Sequence, residues 1–104
     1  MGMQILNLPR LEQAWLRHAD AETALRRWQT VVSAAAWRRY LDVRKTFSAA
    51  DPVPLDSGAV VTVFDIKGNT YRLITTIDYR RQIVTVWHFL THAEYDKEKW
   101  KGSL

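Results

Sequence analysis

The feature that most constrains this chain is a change of period at Gly58. Before it, apolar residues recur at helical intervals; after it, they alternate. Ala59 to Ile66 reads as one strand and Tyr71 to Ile77 as its return. Between them, Gly68-Asn69 is the chemistry of a two-residue hairpin turn of the glycine-first kind. Tyr79-Arg80-Arg81-Gln82 turns the chain again, and Ile83 to Leu90 is a third long, β-branched run. Three consecutive antiparallel strands make a meander.

The other half is helical. Met3-Gln4-Ile5-Leu6 suits a short edge strand, Asn7 an N-cap and Pro9 a first helical turn. Leu8, Leu11, Trp15 and His18 share one face of a helix ending near Ala19. Asp20 is placed to cap a second helix with Leu25, Trp28, Val32 and Ala35 as its apolar stripe. A third, from Arg38 to Thr46, is carried by Tyr40, Val43 and Phe47. Asp51 to Gly58, with two prolines and a glycine, reads as loop. The expected fold is α+β: a short N-terminal strand and two to three helices packed on a three- to four-stranded antiparallel sheet.

The turn chemistry fixes a register. Lys67 should oppose Thr70, Asp65 should oppose Arg72 and Phe64 should oppose Leu73. With Asp78 opposite Ile83, Leu73 falls opposite His88 and Arg72 opposite Phe89. Alternation then puts Phe64, Tyr71, Leu73, Val84, Val86, His88 and Leu90 against the helices. The other face carries Val61, Val63, Asp65, Arg72, Ile74, Trp87 and Phe89, and a ligand would sit there or on the rim after Leu90. His18 and His88 accordingly read as core histidines.

Length and composition bound the rest. A chain of 104 residues, 47% apolar, fits a single domain over 1–104 with a real core. The absence of cysteine excludes disulfides, thiolate metal sites and cysteine nucleophiles, and is compatible with a reducing cytoplasm. No stretch is long and apolar enough for a membrane span. The net charge of +4 is uneven: residues 1–50 hold eight Lys or Arg against four Asp or Glu, whereas 51–104 hold seven of each. The excess favours a polyanion or an acidic protein as partner. Three scattered histidines offer no metal-ligand spacing, and no motif calls for a cofactor.

Two segments carry the chemistry. One is Phe64-Asp65-Ile66-Lys67-Gly68-Asn69-Thr70-Tyr71-Arg72-Leu73; the other is Thr91-His92-Ala93-Glu94-Tyr95-Asp96-Lys97, directly after the third strand. Together, with Trp28, Trp37 and Phe47 as a looser match, they resemble the HigB family of bacterial type II toxins, within the broader RelE/ParE-like fold. The resemblance implies a ribosome-dependent endoribonuclease that cuts translated mRNA and arrests growth. It also implies neutralisation by a cognate helix-turn-helix antitoxin of the HigA kind. Two rival readings remain: a ParE-like gyrase poison that cuts nothing, and a module that only binds antitoxin or RNA.

Metal-free RNA cleavage needs a base for the ribose 2′-hydroxyl, cationic donors for the phosphorane and an acid for the leaving 5′-oxygen. Arg72 suits the phosphate, or else forms an exposed ion pair with Asp65 across the hairpin. His92 suits proton transfer, or else is a capping or loop histidine. Tyr95 can stack on a base or donate a proton, or else anchor the C-terminal segment. Asp96 orients His92 or is plain surface charge. Lys67 and Asn69 at the hairpin tip, and Lys97 in the basic tail, are RNA contacts or solvated residues. Trp100 can pin that tail to the body, and the arginines of the helical half suit ribosomal RNA or an acidic antitoxin.

Overall fold

In a computed structural model describing residues 2–104, five strands form one mixed sheet. The strands are β1 (Gln4–Leu6), β2 (Asp51–Pro54), β3 (Val60–Ile66), β4 (Tyr71–Asp78) and β5 (Ile83–Thr91), in the spatial order β1-β5-β4-β3-β2. The helices are α1 (Leu8–Arg17), α2 (Glu22–Ala34), α3 (Tyr40–Thr46) and α4 (His92–Asp96). A 3₁₀ turn spans Ala19–Ala21 and a second closes the chain over Lys99–Ser103. The α+β class and the meander are as the sequence predicts.

The sheet is wider than the three to four strands expected. Asp51–Pro54, read as loop, is a strand paired antiparallel with β3. Its prolines are tolerated because β2 is an outer edge, where a missing N–H breaks no second ladder. At the opposite edge, β1 pairs with β5 in parallel.

The expected helix caps fail in an instructive way. Asn7 sits at the α1 N-cap with φ 66°, but its side chain donates to the Val86 carbonyl at 3.0 Å instead of capping. Asp20 does not cap α2, which begins two residues later; its carboxylate accepts from Lys67 Nζ at 2.9 Å and Tyr71 Oη at 2.7 Å. In both cases a tertiary partner outbids the local backbone. The β3–β4 turn also differs: the ladder closes at Ile66 and Tyr71, and four residues turn, with Lys67 (φ 54°) and Gly68 (φ 62°) left-handed. Only glycine takes that geometry without steric cost.

The main core lies between the sheet and α1–α3. Leu11, Leu25, Trp28, Val32 and Val43 from the helices meet Phe64, Leu73, Val84 and Val86. Phe64 is its hub, with Trp28 edge-on at 5.4 Å and Phe47 at 5.2 Å.

β3 and β4 keep the predicted register, with Asp65 opposite Arg72 and Phe64 opposite Leu73. β4 and β5 keep it only from Asp78–Ile83 to Thr75–Val86. There β5 bulges: Ile74 pairs with His88, so Trp87 has no partner, and Arg72 falls opposite Leu90 instead of Phe89. One extra residue inverts every later side chain. Phe89 turns inward to stack on Tyr71 at 4.8 Å, and His88 and Leu90 turn to the other face. His88 is therefore not a histidine of the helix-packed core; its Nε2 lies 2.8 Å from Ser103 Oγ.

That other face is not bare. The C-terminal 3₁₀ turn folds over it, and Trp100, 5% exposed, packs with Val61, Val63, Ile74, Leu90 and Tyr95 in a second core. Trp100 thus pins the tail to the body. Among the described residues, no helix is long and apolar enough to cross a membrane.

Candidate active site

The site forms where this second core ends. Thr91 starts α4 through a capping box: its Oγ1 accepts from the Glu94 N–H at 3.2 Å, and Glu94 Oε1 accepts from the Thr91 N–H at 2.9 Å. That N–H holds the Glu94 carboxyl below the usual carboxylate range. The His92 N–H donates to the Thr70 carbonyl at 3.1 Å, tying α4 to the β3–β4 turn. The Thr-x-x-Glu spacing was present in the sequence and would have revealed this short helix.

With α4 so anchored, Arg72 and His92 meet: Arg72 Nη2 lies 3.1 Å from His92 Nδ1. A guanidinium carries donors only, so Nδ1 accepts, and in the neutral ring the proton sits on Nε2. His92 Nε2 lies 3.0 Å from Asp96 Oδ2, one turn along α4. The three groups form a line from carboxylate through imidazole to guanidinium. Asp96, read as plain surface charge or as an orienting group, is in place to orient the ring.

Arg72 is only 11% exposed in its side chain, and all three guanidinium nitrogens are engaged. Nε pairs with Asp65 Oδ1 at 3.2 Å. Nη1 donates to the carbonyls of Asn69 at 3.3 Å and Tyr71 at 3.2 Å, and Nη2 donates to Asn69 Oδ1 as well as facing His92. The ion pair with Asp65 across the hairpin is present, though the Arg72 side chain is largely buried, and the same guanidinium abuts His92.

Tyr95 packs one face on Trp100, with centroids 5.4 Å apart and planes 14° apart, and stands 5.8 Å from the Arg72 guanidinium carbon. Burial pushes its phenol above the ordinary tyrosine range, and Asp51 adds to the shift. It therefore keeps its proton at neutral pH. A hollow of about 390 Å³ opens beside this cluster, lined by Arg44, Asp51, Asp65, Arg72 and Tyr95 among others. Arg44, on α3, supplies a second cation that the sequence offered only as one of several helical arginines.

The remaining candidates divide. Asn69 belongs to the cluster through Arg72. Lys67 turns to the helix side, paired with Asp20, which its ammonium and then the Tyr71 hydroxyl hold below the usual carboxylate range. Lys97 lines a different hollow with His88, Leu90 and Trp100. Another hollow, of about 550 Å³, lies between α1 and β5 and is lined by neither Arg72 nor His92. His18 and His88 also line it, but the Arg72–His92 cluster holds a histidine between a guanidinium and a carboxylate at hydrogen-bond distance and remains the better chemical candidate.

A protein-family model described as HigB_toxin, a RelE-like toxic component of a toxin-antitoxin system, matches residues 21–98. That span includes the whole of the cluster. No curated protein matches the chain.

Proposed function

Because this chain belongs to the HigB_toxin family, the RelE-like toxic components of toxin-antitoxin systems, we propose that it arrests growth as a ribosome-dependent endoribonuclease cutting translated mRNA. The observation that carries the proposal is the contact of Arg72 Nη2 with His92 Nδ1 at 3.1 Å beside an open hollow. On this reading, residues 1–104 act as one toxin domain in the cytoplasm, held in check by an antitoxin of the HigA-like, helix-turn-helix kind.

The incoming scissile phosphate competes for Arg72 Nη2. A charge-assisted bond to phosphate outweighs one to a neutral imidazole, so phosphate capture releases His92 Nδ1. That nitrogen takes the proton of the ribose 2′-hydroxyl, whose oxygen attacks phosphorus. The Asp96 carboxylate holds the opposite ring N–H and stabilises the imidazolium that forms. Arg72 and Arg44 face the charge that builds on the phosphorane. The bond to the 5′-oxygen breaks as that oxygen is protonated, with the Tyr95 phenol the nearest proton donor of the cluster. The products are a 2′,3′-cyclic phosphate and a 5′-hydroxyl. Asn69 positions the RNA beside Arg72, with Lys67 and Lys97 as outer contacts, and no cofactor takes part. The ribosome supplies substrate geometry, which lets so few groups suffice.

The test is brief induction of wild type, Arg72→Ala and His92→Ala, with mRNA ends mapped in the presence and absence of ribosomes. Each variant should lose cutting by about 10²-fold or more, the usual cost of removing a positioned acid–base or charge-stabilising group. Equal cutting by all three would remove the assigned site. Intact mRNA with a DNA-damage response would indicate gyrase poisoning, and no toxicity at all a binding module.

A further inference from the structure

The sheet carries an unfinished edge. β1 stops at Leu6, opposite Thr85, while β5 continues through Val86 to Thr91 with no strand outside it among the described residues. Two side chains fill in. Asn7 Nδ2 donates to the Val86 carbonyl at 3.0 Å, and Arg10 Nη1 donates to the Trp87 carbonyl. Both carbonyls therefore point away from β4, and Asn7, Arg10 and Trp87 line the hollow of about 550 Å³ between α1 and β5. They do so because the bulge at Trp87 breaks the alternation that would have turned one of them to β4.

The groove is shaped and charged for an extended acidic chain. Arg10, Gln13 and Arg17 stand along its α1 wall, and Trp87 and Leu90 belong to its β5 side. No carboxylate lines it. Glu94, close enough to feel Arg17 and His18, is spent on the Thr91 N–H. A peptide laid between a helix and a sheet edge gains main-chain hydrogen bonds from the strand and specificity from the walls. An RNA strand would use the arginines but carries no row of amide donors to take the place of Asn7 and Arg10 on the two carbonyls, so the geometry favours peptide.

We propose that this groove receives an extended acidic segment of the antitoxin, added to the β5 edge at residues 86–90 in line with β1. The proposal rests on the family membership and not on the nuclease reading. Its probe is the cognate antitoxin, co-expressed with a tag. For Arg10→Glu/Arg17→Glu, antitoxin capture should fall at least ten-fold while growth arrest without antitoxin persists. Capture at the wild-type level overturns the proposal. Loss of arrest with capture intact also overturns it and gives the groove to RNA. Should the variant lose both, hydrogen exchange on the wild-type chain decides: the Phe89 amide, on the open side of β5 past the bulge, should exchange at least ten-fold more slowly in the complex than in the free toxin, and unchanged exchange overturns the proposal. A chain that captures antitoxin through the groove yet cuts no mRNA would defeat the nuclease reading alone.

Discussion

Arg72 ties three parts of the chain together, and the proposed reaction would use the same guanidinium. Its nitrogens hold the hairpin turn through Asn69, the neighbouring strand through Asp65 and α4 through His92. A flexible cation would wander; this one is held by its neighbours before any substrate arrives, which lowers the entropy cost of using it. His88 is the residue where burial has a measurable consequence. Removal from water, with Arg10 adding to it, pushes its imidazole below the ordinary histidine value. The unfolded chain takes up that proton near pH 6.5 and the folded chain only at lower pH. Between those values the unfolded state binds more protons, so stability rises with pH and is lost as pH falls from about 6.5. His88→Gln should remove this dependence. Urea midpoints measured from pH 7.5 to pH 5 should fall more for wild type than for the variant, and parallel curves would contradict the assignment.

At the scale of elements, the bulge in β5 and the C-terminal turn matter most. The bulge puts Trp87 and His88 on one face, where the indole N–H donates to Thr76 Oγ1 at 2.9 Å. It also frees Phe89 to enter the main core. The C-terminal turn supports the site from below: Trp100 Nε1 donates to the Tyr95 carbonyl at 3.1 Å while its ring carries the Tyr95 ring. Trp100→Ala should therefore do two things. It should cost roughly 3–5 kcal/mol, the usual range for deleting a buried indole, read as a shift in urea unfolding. It should also lower mRNA cutting in whatever fraction stays folded, because Tyr95 loses its backing. The β3–β4 register was legible because the turn sits beside it and fixes the pairing within a few residues. The bulge was not, since Val86-Trp87-His88-Phe89 reads equally well in either phase, and choosing between them takes Tyr71 and Leu73 across the sheet.

For the whole molecule, the consequence is a sheet used on both faces. One face is buried under α1–α3, the other under the last residues of the chain, and the candidate site lies at the rim of the second. Phe64 is the main core's hub, and Phe64→Ala should cost about 3–5 kcal/mol. At the lower end of the typical total stability of about 5–15 kcal/mol, that is enough to unfold much of the population. Growth arrest and antitoxin capture should then fail together, with a lowered thermal midpoint by circular dichroism. Arg72→Ala should lose the first and keep the second. If both variants behaved alike, Arg72 would be serving the fold alone.

Period and turn chemistry alone determined the α+β class, the meander and the Asp65–Arg72 pairing, and the family resemblance pointed to the short set of groups in the proposed chemistry. The first three are local properties, since a two-residue or 3.6-residue repeat needs no distant partner to be expressed. Tertiary structure alone decided the proline-bearing edge strand, the inversion past Trp87, the second core under Trp100 and the parting of Lys67 and Lys97 from Arg72. Each of those is a competition between a local preference and a contact with another element of the fold. Asp20 abandons a helix cap for Lys67 and Tyr71, and Asn7 abandons one for Val86. Only the packed chain sets the distances that decide such contests.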